Sequence, residues 1–194
     1  IGRAMEGTIA HGKLQKDNEN IYEDYQKEVK LQWGFIRDNI ELIIEGRTDG
    51  IIKESNNVII EEIKSTYKSL IYIEEDYNEI HWAQGKFYGY IYCKENNLAE
   101  IRIRLSYYNL NTDEVKSFEK KFKLTELEVF VSELVERYMK AVFLKIALIE
   151  ERNESIEKME FPFPTYRKGQ RELAVTCYNT IRNNGVLFAQ APTG

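Results

Sequence analysis

Two apolar stretches, "IIEGRTDGII" (43–52) and "VIIEEIKST" (58–66), constrain this chain more than anything else in it. Both are rich in the β-branched residues that favour strands, and glycine and asparagine punctuate them. Each also carries charge where a buried strand should have none. Asp49 stands at the end of the first, just before Gly50. Glu62 and Lys64 have the same parity in the second, so strand alternation puts them on one face. Thirteen positions separate Asp49 from Glu62, enough for a turn and a returning strand. One carboxylate from each strand and one lysine are therefore expected to meet at a single point.

The remaining pattern builds around that pair. Residues 1–32 read as helical, with apolar positions at Ile9, Leu14, Ile21, Tyr25 and Val29. Residues 40–52 read as a strand pair or one long bent strand, and Asn56–Asn57 as the turn into a strand over 58–64. Residues 76–96 carry a helical pattern with Ile80, Ala83, Phe87, Tyr90 and Ile91 on one side. Segments 99–107 and 114–122 alternate and read as an antiparallel hairpin. A long amphipathic helix then opens with Thr125 and Glu128 as a capping box. The order of helices and strands predicts an α/β fold with a mixed sheet.

At residues 152–164 the character changes, and Pro162 and Pro164 mark a linker. The expected organisation is a first domain over 1–153, a linker over 154–164 and a second element over 165–194. That last part reads as a helix near 167–183 followed by an apolar strand, "VLFAQ". The first residue is Ile1 and the last are "APTG", so the chain reads as a fragment of something longer.

Composition narrows the function classes. Hydrophobic residues are 43% and charged residues 30% of the 194, which suits a globular domain. No apolar run approaches the roughly 20 residues of a bilayer span, so no membrane partner is expected. The two cysteines, Cys93 and Cys177, are too few for an iron–sulfur cluster built from this segment, and a reducing cytoplasm is the expected compartment. A net charge of −5 argues against coating nucleic acid by bulk attraction, but not against a nucleic-acid enzyme, whose metal site is itself acidic. "IRIRL" (101–105) and "KSFEKKFKL" (116–124) are candidates for a local basic rim, or simply solvated strand faces.

Carboxylates that hold a divalent ion, with a cation to place the attacking water, are the requirement for metal-assisted phosphodiester cleavage. The same residues also fit a turn cap and a surface ion pair. The chain, however, resembles the PD-(D/E)XK nuclease superfamily in its RecB-like branch. "GRTDGI" is similar to that branch's glycine–x–x–aspartate strand, "EEIKST" to its (D/E)-x-K strand, "QGKFYGY" to its Q-x-x-x-Y helix, and "EGTIAHGKLQ" to its histidine-bearing first helix. The proline of the "PD" pair is absent, Thr48 standing before the aspartate. The resemblance implies a restriction-endonuclease-like mixed sheet flanked by helices, and Mg2+ or Mn2+ as cofactor. Asp49, Glu62, His11 and the carbonyl of Ile63 would be ligands, Lys64 would polarise the water, and Gln84 and Tyr88 would orient DNA or support the site.

Further on, "YRKGQREL" is similar to the adenine-side segment of superfamily-two helicases related to DinG and XPD, in which Arg167 and Gln170 would flank the base. "VLFAQAPTG" resembles the strand and opening of a phosphate loop, with Ala191, Pro192, Thr193 and Gly194 at its start. The resemblance implies a nuclease joined to a helicase domain in cis, with single-stranded DNA as partner and a role in repair or recombination. ATP would be used only by the full-length protein. The alternative is a catalytically inactive nucleic-acid-binding or protein-docking module of such a helicase.

Overall fold

Isoleucines fill the middle of the molecule: Ile51, Ile52, Ile59, Ile60, Ile63, Ile101 and Ile103 are all essentially inaccessible. They come from the central strands of a five-stranded sheet in a computed structural model that describes residues 2–54 and 57–190. The elements run α1 (Arg3–Ile21), β1 (Tyr25–Arg37), β2 (Ile40–Glu54), β3 (Asn57–Thr66), α2 (Glu79–Asn96), β4 (Glu100–Asn109), β5 (Val115–Lys123), α3 (Leu124–Glu157) and α4 (Gln170–Arg182). Strand order follows the sequence, so β1 and β5 are the edges. Only β3 and β4 are parallel, and α2 is their crossover; the other pairs are antiparallel. The protein is thus of the α/β class, a mixed sheet flanked by helices. It divides into two compact units, Ile1–Val142 and Phe143–Gly194.

The two helices that frame the sheet lie on opposite faces. Ala10 and Leu14 of α1 pack with Ile63 and Tyr108. Gly85 and Gly89 of α2 lie against Ile101 and Ile103. Ile103 is the register partner of Ile60, so α2 covers the face that carries Ile60, Glu62 and Lys64. α1 covers the face that carries Glu61 and Ile63.

Several sequence expectations are corrected. Residues 25–32 are not helix but the start of β1. The odd-numbered Leu31, Trp33 and Phe35 alternate with exposed neighbours, a period of two that a Gln-, Lys- and Glu-rich composition and the exposed Ile36 mask. On α2, the expected Tyr90 and Ile91 are buried but Ile80 is 75% exposed; the buried side also includes Trp82, Gly85, Gly89 and Cys93, and its glycines are what a search for large apolar residues passes over. The helix after β5 begins earlier than Thr125 suggested: Glu126 accepts from the Lys123 backbone N–H, while Glu128 pairs with Lys94 of α2 at 2.9 Å. Residues 186–190 form no strand, and Val186 and Phe188 are almost fully exposed. Asn56 of the expected turn lies outside the described residues.

Gly85 shows how close α2 sits to the sheet. A Cβ there would lie 2.5 Å from Cγ2 of Ile103. Gly85→Ala gains about 1 kcal/mol of helix propensity, yet it is expected to destabilise by about 2 kcal/mol through overpacking. Urea unfolding reads the sign directly.

Candidate active site

β2 and β3 part company at Asp49. Their ladder runs from Glu54 paired with Asn57 to Gly50 paired with Glu61, and stops there. The next position pairs Asp49 with Glu62 by register, but Asp49 continues the ladder with its side chain instead. Oδ2 accepts from the Ile63 backbone N–H at 2.7 Å. Thr48, fully buried, closes the gap behind it by donating its hydroxyl to the carbonyl of Glu61 at 3.0 Å. A carboxylate that accepts an in-sheet N–H lies between the two strands, within reach of both faces.

Each face supplies a neighbour. From α1, His11 Nδ1 meets Asp49 Oδ1 at 3.2 Å, and Gln15 Nε2 donates to the Asp49 carbonyl at 2.9 Å. On the α2 side, Lys64 Nζ donates to Glu62 Oε1 at 2.5 Å and to Gln84 Oε1 at 3.0 Å. The expected same-face pairing of Glu62 and Lys64 is therefore present, with Gln84 holding the ammonium from its other side. Tyr88, one helical turn beyond Gln84, packs against Gly46, where a Cβ would lie 2.7 Å from its hydroxyl oxygen. That contact needs glycine and puts Tyr88 against β2 three residues from Asp49.

Burial sets the electrostatics. Glu62 is 2% exposed, and its Oε2 is a buried oxygen with no hydrogen-bond partner. Burial, reinforced by the Asp49 charge, pushes its carboxyl up to about 7 in spite of Lys64. His11 is raised by its hydrogen bond to Asp49, with burial opposing. Both shifts have Asp49 in common, which places His11, Asp49 and Glu62 in one electrostatic neighbourhood. Among the described residues, nevertheless, no three His, Cys, Asp or Glu side chains converge on one ion-sized point. The reason is visible in the bonds: Glu62 is turned to Lys64, and Asp49 to His11 and Ile63.

Sequence reasoning missed the polar stripe of α1. Gln15 and Asn18 are buried, four and seven residues after His11 and so on its face of the helix. Asn18 donates to Glu61 at 2.6 Å, and Glu61 also accepts from Tyr25 and Ser106. Burial raises the Glu61 carboxyl as well, on the face away from Glu62. His81 was missed too. One turn before Gln84, it bonds Tyr107 at 3.0 Å, and burial with the charge of Lys64 lowers its pKa. The signal in both cases was helical spacing from a residue already singled out.

Other candidates lie elsewhere. The Arg167 N–H donates to Gln170 Oε1 at 3.0 Å, a local contact at the start of α4 in the second unit. Ala191, Pro192, Thr193 and Gly194 are outside the described residues. The basic stretches are tied up in pairs: Arg102 and Arg104 both bond Glu119, and Lys120 bonds Glu75. Both cysteines are free thiols, with burial pushing Cys93 up to about 11. Among the described residues no helix is long and apolar enough to cross a membrane.

No protein-family model and no curated protein matches the chain. Among solved structures it is similar to SSO0001, at 20% identity and a TM-score of 0.47. The match covers 70% of this chain and 61% of that one, so the chain spans less than two thirds of that protein's length.

Proposed function

We propose that residues 1–153 form a metal-dependent DNA nuclease domain of the PD-(D/E)XK type, with a restriction-endonuclease-like sheet. One observation carries the reading. A buried glutamate with an unpartnered oxygen lies beside Asp49, with a lysine ammonium bound to its other oxygen and held by Gln84. An unsatisfied buried carboxylate oxygen is costly and demands an explanation, and ligation of an ion is among the usual ones. The donor set of two carboxylates, one imidazole and a backbone carbonyl suits a hard divalent cation.

Asp49, Glu62, His11 and the Ile63 carbonyl would hold Mg2+ or Mn2+, which when bound supplies an acidified water and neutralises phosphate charge. Lys64 would orient the attacking water and meet the charge that builds as its oxygen bonds to phosphorus and an ester oxygen leaves. Gln84 keeps the ammonium aimed, and Tyr88 holds α2 against β2 beside Asp49. The hydrogen bond to Asp49 raises the His11 pKa and Glu62 keeps its proton to about pH 7, so ligation releases protons. Mn2+ affinity is accordingly expected to fall about tenfold per pH unit for each proton released as pH drops below 7. Calorimetry in buffers of different ionisation enthalpy counts those protons.

The test of function is Mn2+-dependent degradation of labelled single-stranded DNA by the wild type, Lys64→Ala and Asp49→Ala. Identical behaviour of all three overturns catalysis. The second reading, a module that binds nucleic acid or docks a partner without cleaving, is favoured by the lack of a converged three-ligand set among the described residues. We read residues 165–190 as the start of a DinG-like motor acting in cis, supported by "YRKGQREL" and by the adjacency of Arg167 and Gln170.

A further inference from the structure

One residue opposite Asp49 has a backbone that its type should avoid. Glu28 lies within β1 at φ 54°. The other non-glycine residues with positive φ among those described are all Asn or Asp: Asp38, Asn39, Asn97, Asp113 and Asn184. Those two types tolerate the left-handed region, and all five lie outside the strands, whereas glutamate in a strand does not belong there. The ladder between β1 and β2 is continuous from Tyr25–Ile52 to Arg37–Ile40 except at one place: Glu28, whose register partner is Asp49.

The kink turns the strands over. Tyr25 donates its hydroxyl to Glu61, on the α1 side of the sheet. Trp33 and Phe35, of the same parity, instead meet the ring of Tyr90 on α2, at centroid distances of 6.2 and 6.1 Å. β2 shows the same switch, since Gly50 lies against Tyr25 and Gly46 against Tyr88 of α2. The change of face brackets the Glu28–Asp49 pair. The Glu28 side chain is engaged as well: Oε1 accepts from Gln15 Nε2 at 3.1 Å, the same amide that holds the Asp49 carbonyl, and Oε2 accepts from Arg47 at 3.0 Å.

We propose that Glu28 is a positioning residue for Asp49: its left-handed backbone releases Asp49 from the β1 ladder, and its carboxylate fixes Gln15, which holds the Asp49 main chain. Strain kept at such a position is characteristic of functional sites. For the use of Asp49 as a ligand, this inference rests on the metal-site reading above.

Glycine adopts this backbone without strain, so Glu28→Gly separates geometry from stability. In metal-free protein its unfolding midpoint is expected to stay within about 5 °C of wild type, because relief of the left-handed strain offsets the lost Gln15 and Arg47 contacts. Mn2+ affinity should nevertheless fall about tenfold, the scale of a lost supporting contact. Exchange of the Ile63 amide, which donates to Asp49, should quicken about tenfold, while Ile59 and Ile60 in the intact ladder keep their rates. Glu28→Gln, which retains an acceptor for Gln15, should stay near wild type on all three measures. Wild-type Mn2+ affinity and Ile63 exchange in Glu28→Gly would overturn the proposal. So would a uniform loss of protection across β2 and β3, which marks a merely structural role. A wild type that binds no Mn2+ sinks the metal centre alone, and Ile63 exchange then decides the role of Glu28.

Discussion

Lys64→Ala is expected to lower Mn2+-dependent cleavage of single-stranded DNA by about 10²–10³-fold, the usual loss when a pre-aimed donor is removed from a developing negative charge. Ion affinity should change far less, because the ammonium is not a ligand. Stability should also change. Without Lys64, Glu62 has no partner on either oxygen, and breaking a buried pair from one side costs about 3 kcal/mol. Part of that loss is recovered when Glu62 takes a proton, so the defect should be larger at about pH 8 than at about pH 6. Adding Glu62→Gln to Lys64→Ala should then restore the unfolding midpoint but not cleavage. Lys64→Ala that cleaves as fast as the wild type at saturating Mn2+ would overturn the role given to the lysine.

Glu62→Gln carries the second large effect, with opposite signs on stability and function. In the metal-free protein the Glu62 carboxyl titrates near 7 rather than at its ordinary 4.5, because burial disfavours the anion. The folded state therefore holds the proton more tightly than the unfolded chain. The stability it confers is complete below about 4.5 and declines as pH rises, until the group is ionised above about 7. The shift corresponds to roughly 3 kcal/mol across that window. Glutamine does not titrate, so Glu62→Gln should lack the decline and be more stable than wild type at about pH 8. Mn2+ affinity should meanwhile drop by at least about tenfold. Thermal unfolding from about pH 5 to 8, with and without Mn2+, shows both effects in one series. A wild-type midpoint that rises with pH through that range would contradict the Glu62 assignment.

What the sequence made legible follows from periodicity. Strand parity alone placed Glu62 and Lys64 on one face, and the Lys64–Glu62 contact occupies it. The β4–β5 hairpin was equally clear because residues 100–105 and the whole of β5 alternate in burial around a polar turn. What stayed hidden depends on other kinds of information. α2 packs through glycines, whose value is the absence of a side chain. The Gln15–Glu28–Asp49 arrangement depends on one left-handed residue that no composition announces. The polar stripe on α1 combines three residues that are ordinarily exposed, and only the acids waiting on the sheet make their burial tolerable.

β5 is the sheet's outer margin along its full length, and it carries Lys116, Lys120, Lys121 and Lys123 within nine residues. An unpaired row of peptide groups invites a second molecule to add its own strand, the first step toward fibrous growth. Lysines strung along such a margin would face their own kind across any like-with-like junction and push it apart. Such a margin is blunted for like-with-like pairing, even though Lys116, Lys120 and Lys121 also reach Glu74, Glu75 and Glu100.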